Sequence, residues 1–141
     1  MITNERQARI TRAQIKRLDR ALAQGQAEPS DLDLRLRKAA LDSQRSLRDD
    51  LQEQLDLYEM LKNEETVAIE MGSLSDLPVI LVQARIAQGL TQADLAERLN
   101  LKEQQIQRYE ATRYQTASFK RIVEIASVLG VDLQDTVEIV K

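Results

Sequence analysis

The chain has 141 residues, with 20 Lys+Arg against 23 Asp+Glu, a formal net charge of −3, and neither Cys nor His. Disulfides, thiolate or histidine metal sites and the commonest nucleophile–base pairs are therefore out of reach, which argues against an enzyme and against any cofactor. Three Tyr, one Phe and no Trp offer little stacking platform for single-stranded nucleic acid, and no apolar run reaches the ~18 residues of a membrane span. The start, Met1 to Arg6, lacks a signal-peptide core, so a cytoplasmic protein is expected.

In chain order, Ala8, Thr11, Ile15, Leu18 and Leu22 recur at alternating spacings of three and four, the narrow seam of a coiled-coil-like helix. Gly25 is expected to end it. Pro29, Ser30 and Asp31 supply a turn and a cap, after which Leu34, Leu41, Leu47, Leu51, Leu55, Tyr58 and Leu61 carry a second helix to about Asn63. Charge divides between the two. Residues 1–25 hold six Lys/Arg and two Asp/Glu, whereas residues 26–76 hold six and thirteen. An antiparallel hairpin steered by that complementarity is expected over 1–65. Polar seam positions at Thr11, Gln44 and Arg48 thin its core, so a lone hairpin would be marginal and a second copy is the expected support. The alternative is a solvated helical arm that binds nothing.

Residues 66–76 read as a short strand and linker, with Val67, Ile69 and Met71 alternating before Gly72-Ser73 and a helix cap at Ser75 or Asp76. Thr136 to Val140 is also β-branched. The two segments are expected either to pair as a short ribbon or to be a plain linker and a short terminal helix capped at Asp132.

Between them, residues 90–110 read LTQADLAERLNLKEQQIQRYE. Thr91 and Asp94 have capping-box spacing. Leu95 and Leu99 face inward, and Ala96 is small enough to admit a second helix closely. Asn100 suits a left-handed turn, and Leu101 re-enters the core before a helix over Lys102 to Ala111, anchored by Ile106 and Tyr109. Glu103, Gln104, Gln105, Gln107 and Arg108 fall on its other faces, and long amide and guanidinium groups are what base edges and phosphates accept. A bare three-helix bundle with solvated glutamines is the competing account. Residues 85–121 hold seven Lys/Arg against four Asp/Glu, so this stretch is locally basic despite the acidic whole.

Gln92, Ala96, Asn100, Ile106 and Tyr109, with flanking segments from Leu77 to Val131, resemble the Xre/Cro/C1 type of repressor helix-turn-helix. The resemblance implies a lambda-repressor-like domain over 77–141 and double-stranded DNA as partner. It also implies a buried ion pair between Arg85 and Glu110, a phosphate contact from Gln92, and major-groove positions at Lys102, Glu103, Gln104, Gln105 and Arg108. Gln104 and Arg108 are the strongest base-contact candidates, by bidentate pairing with adenine and guanine. Glu103 would be repelled by phosphates unless it accepts from a cytosine amine or pairs with Lys102. The family often has Gly at the positions of Asn100 and Thr112, so the loop carrying Arg113 is expected to follow the DNA backbone differently.

The expected fold is thus mainly α: a long hairpin, then the helix-turn-helix domain, with or without the β ribbon. The expected function is a homodimeric transcription regulator, most simply a repressor, reading an operator of two-fold symmetry. The alternative is an antitoxin whose extension masks a protein toxin while its helix-turn-helix represses their shared promoter.

Overall fold

In a computed structural model, residues 1–27, 33–65 and 67–133 are described, and every regular element among them is helical. They form two compact units, Met1–Asn63 and a second beginning at Glu64.

The first unit is an antiparallel pair, α1 (Glu5–Ala27) and α2 (Leu34–Asn63). Asn4 caps α1 through its side-chain oxygen, which accepts from the Gln7 N–H at 2.9 Å, while Gln7 Oε1 accepts from the Thr3 N–H at 2.8 Å. Two orphan amides at the chain start are satisfied in this way. Asp33 Oδ1 accepts from the Arg35 N–H at 3.1 Å at the start of α2; the cap expected at Ser30 or Asp31 lies outside the described residues. The register is fixed by cross-pairs: Arg12 to Glu59 at 3.0 Å, Lys62 to Glu5 at 3.1 Å and Arg48 to Asp19 at 3.0 Å. Arg12 and Lys62 together hold the Glu5 carboxyl below its ordinary range, chiefly through the Arg12 hydrogen bond.

Gly25 does not end α1. It lies inside the helix, where a β-carbon would come within 2.9 Å of a Leu41 methyl, and its carbonyl accepts from Arg37 Nη2 at 2.6 Å. The glycine permits the two helices to approach closely. The hydrophobic core of the pair is concentrated near the chain start, at Ile2, Ala8, Ile15, Leu55, Tyr58 and Leu61. Leu18, Leu22, Leu41 and Leu51 are half-buried, whereas Leu34 and Leu47, expected in the stripe, stay 78% and 51% exposed.

The expected strand at 66–71 does not form: residues 67–71 carry no regular structure, and its proposed partner at 136–140 lies outside the described residues. The alternation is nevertheless real. Val67, Ile69 and Met71 are half-buried and Ala68 and Glu70 exposed, because this extended chain lines a groove with Ile80, Ala84 and Ala87 and needs no sheet to bury every second residue. Ser73 caps a 3-10 turn over Leu74–Asp76, its hydroxyl accepting from the Ser75 N–H at 3.2 Å while Asp76 Oδ2 accepts from the Ser73 N–H at 2.8 Å, and Asp76, one of the two expected caps, then holds the cap position of the next helix without a side-chain cap bond to it.

Four helices then follow: α3 (Leu77–Ala87), α4 (Gln92–Arg98), α5 (Glu103–Ala111) and α6 (Phe119–Val128). Pro78 sits in the first turn of α3, where its missing N–H costs nothing. Leu81, Leu95, Ile106 and Ile125 are fully buried, one from each helix, and make the centre of this core. Ala96 is 2% exposed at the α4–α5 crossing. The turn between these helices passes through Asn100 at φ 54°, and the Leu101 N–H returns to the Ala96 carbonyl at 2.8 Å. That left-handed residue sets where α5 starts. Asn100→Ala is expected to cost ~1–2 kcal/mol, with Asn100→Gly neutral or stabilising, in urea unfolding of the full chain; equal stability of all three proteins would remove the strain argument.

Candidate nucleic-acid interface

The geometry of the α4–α5 pair begins with its caps. Thr91 Oγ1 accepts from the Asp94 N–H at 3.0 Å and Asp94 Oδ2 accepts from the Thr91 N–H at 2.8 Å, the full reciprocal box expected from the sequence. The Thr91 hydrogen bonds hold the Asp94 carboxyl below its ordinary range, so this contribution is present at neutral pH and is lost as pH falls through the lowered value. Lys102 is the residue before α5, and its N–H is accepted by Gln105 Oε1 at 3.1 Å.

Beneath α5 lies a buried charged network. Arg85 Nε and Nη2 donate to the two oxygens of Glu110 at 2.6 and 3.0 Å, with side chains 2% and 3% exposed. Arg85 Nη1 donates to the Leu90 carbonyl at 2.8 Å, and Gln92 Nε2 donates to Glu110 Oε2 at 2.6 Å. One guanidinium thereby ties the last turn of α3, the entry to α4 and the end of α5. The Arg85–Glu110 pair expected from the family resemblance is formed, and Gln92 completes the network without a signal in the sequence.

The remaining predicted positions separate by what they already hold. Gln105 is spent on its capping bond, and Glu103 Oε1 accepts from Gln107 Nε2 at 3.1 Å rather than pairing with Lys102. Gln104 and Arg108 are both exposed, one helical turn apart, and neither has a hydrogen bond or ion pair among the described residues. Lys102 and Arg113 are likewise exposed. Gln92 is half-buried, with its amide nitrogen on Glu110 and its oxygen not so engaged.

After α5 the chain bends through Arg113 at φ 50° and Tyr114 at φ 59°, and the Tyr114 N–H reaches the Tyr109 carbonyl at 2.6 Å. Thr112, where a glycine was the family expectation, has φ −94° and no need of one; its hydroxyl donates to the Arg108 carbonyl at 2.9 Å. The Tyr114 ring is buried and stacks on Tyr109 with centroids 6.1 Å apart. Its hydroxyl finds no hydrogen-bond partner among the described residues, and burial together with nearby Glu110 pushes its pKa upward. Sequence reading missed this residue because a tyrosine in a polar loop gives no periodic signal. A further clasp it missed is Gln88, whose amide donates to the Leu129 carbonyl at the end of α6.

Two short helices across a left-handed turn, packed on a third and locked by a buried ion pair, define a helix-turn-helix DNA-reading unit. The comparison with protein families agrees: residues 81–135 match a family model described as helix-turn-helix. This segment is a helix-turn-helix domain of the Xre/Cro/C1 type, a DNA-binding regulatory family. No curated protein and no solved structure matches the chain. No helix among the described residues is long and apolar enough to cross a membrane.

Removing one side of the buried pair leaves the other charge stranded, so Arg85→Ala is expected to cost ~3–5 kcal/mol in denaturant unfolding. A loss below ~1 kcal/mol would show that the network is not rigidly formed. Tyr114→Phe, by contrast, removes an unpaired buried hydroxyl and is expected to be neutral or stabilising by up to ~1–3 kcal/mol in the same assay; a clear loss would reveal a hydroxyl partner.

Proposed function

We propose that the protein is a homodimeric transcriptional repressor that reads operator DNA through the major groove with α5. The observation that carries this reading is the uncommitted, exposed state of Gln104 and Arg108 on a helix whose buried side is locked. Gln105 is assigned to holding the helix start, Glu103 to restraining Gln107, and Lys102, Gln92 and Arg113 to phosphates. An Asp/Glu-rich protein can bind a polyanion in this way because the relevant field is local.

Leu36 and Leu47 support the homodimer. They are 61% and 51% exposed and lie three turns apart on one face of α2, on a two-helix unit too thin to bury them itself. A second copy would cover them and set two recognition helices about one DNA turn apart. A second reading, an antitoxin masking a protein toxin, is favoured by the carboxylates Asp42, Asp49, Glu53 and Asp56 exposed along α2, which suit a basic partner.

Fluorescence anisotropy on the upstream intergenic duplex and on a scrambled duplex tests the main reading. Arg108→Ala is expected to relax discrimination at one base step, a loss of ~1–3 kcal/mol of specificity, whereas Gln92→Ala weakens all sequences about equally. Equal weakening on every sequence by Arg108→Ala would refute its base-reading role. Sedimentation of a Leu36→Asp/Leu47→Asp variant is expected to give monomer; a parent protein already monomeric at micromolar concentration would leave the hairpin to another partner.

A further inference from the structure

The outer face of α1 carries Arg6, Arg9, Lys16, Arg17 and Arg20, all exposed. At 3.6 residues per turn these five fall on one side of the helix, opposite Ala8, Thr11 and Ile15, which are buried against α2. None of the five has an ion pair or hydrogen bond among the described residues, whereas the two carboxylates of α1 are both spent inward, Glu5 on Arg12 and Lys62 and Asp19 on Arg48. Arg12, the remaining cation of the helix, is held by Glu5 and Glu59. The pairing has thus sorted the charges: acids turned to the partner helix, cations left outward with no acid between them.

The contrast with α2 is informative. Its exposed carboxylates are partly engaged: Asp42 with Arg45 at 3.5 Å, Asp49 with Arg48 at 3.3 Å, and Asp56 with Gln52 at 2.7 Å. The α1 face is left as an uncompensated row of cations, about 21 Å long at 1.5 Å per residue. Like charges at such spacings destabilise the isolated helix, so the row is costly unless an anion answers it.

We propose that this row is a second DNA-contacting surface, which engages the phosphodiester backbone of duplex flanking the site read by α5. A row of that length spans about six base-pair steps of B-DNA. Arginine dominates it, four of the five, and its guanidinium suits phosphate oxygens. Because both units belong to one chain, the contact becomes intramolecular once the helix-turn-helix is engaged. It adds affinity and no sequence preference, since backbone contacts carry no base information. The inference rests on the DNA-binding reading of residues 81–135 and extends the binding surface to a unit outside that family match.

The test uses the full chain and a mixed-sequence duplex several turns long, with binding followed by anisotropy over a series of salt concentrations. An Arg6→Gln/Arg9→Gln/Arg17→Gln/Arg20→Gln variant is expected to lose at least about tenfold in affinity at low salt, and its salt slope to flatten by ~3–4. The four corresponding Arg→Lys substitutions keep the charge and are expected to behave like the parent. Arg9→Gln and Arg17→Gln singly flatten the slope by about one each, so the outcome stands even if the quadruple variant folds poorly. Parent-like slopes in all the Gln variants overturn the proposal, as does a change confined to sedimentation, which would give the row to a protein surface. Failure of the parent to bind any duplex overturns the DNA-binding reading itself and is seen separately, before any variant is compared.

Discussion

The Arg85 guanidinium is the constraint on which the DNA-reading half depends. Its donors reach Glu110 on α5 and the Leu90 carbonyl before α4, and Glu110 takes a further hydrogen bond from Gln92. Taking both charges out of water is expensive, and geometry of this quality is what offsets that cost. Apolar packing at Leu95 and Ile106 would hold the helices together but tolerates sliding and rotation; a bidentate fork does not. The direction in which α5 presents Gln104 and Arg108 is therefore fixed from its buried side. Gln92 couples this arrangement to the proposed phosphate contact, since the amide nitrogen that donates one N–H to Glu110 carries a second N–H for a phosphate oxygen.

The same domain holds strain close to the reading helix. Arg113 and Tyr114 are consecutive non-glycine residues in the left-handed region, each disfavoured by ~1–2 kcal/mol, and Tyr114 adds a buried hydroxyl with no partner among the described residues. The Tyr109–Tyr114 stack and the Tyr114 N–H bond to the Tyr109 carbonyl are what hold the bend. Tight, strained loops that persist are usually held for position. Here the bend leaves Arg113 exposed immediately after α5, at the place of its proposed phosphate contact.

Much of this was legible beforehand, for reasons that differ by feature. Thr91 and Asp94, Asn100, Ile106 and the Arg85–Glu110 pair were readable because a cap, a left-handed turn and a family motif are local patterns with few alternatives. Gly25 was misread as a terminator because its role is tertiary: Leu41 approaches where a β-carbon would stand. The alternation at 67–71 was sound evidence for one buried side, but an extended chain lying on helices produces the same period as a strand. The division among the glutamines was invisible, because Gln92, Gln105 and Gln107 are distinguished from Gln104 only by partners that folding brings near.

Charge placement links the two units in function without any apolar contact being invoked. The ion pairs between α1 and α2 are too exposed, at 39% and 44% for Arg12 and Glu59, to add much stability. Their consequence is directional: by drawing Glu5 and Asp19 inward they strip the outer face of α1 of acids. The core of the hairpin, at Ile15, Leu55, Tyr58 and Leu61, holds that face on a formed helix, and in the proposed contact a preformed helix lets successive arginines meet successive phosphates at a lower ordering cost. On the proposed reading, a chain of net charge −3 holds duplex DNA at two places, with specificity assigned to α5 and salt-sensitive affinity shared with α1.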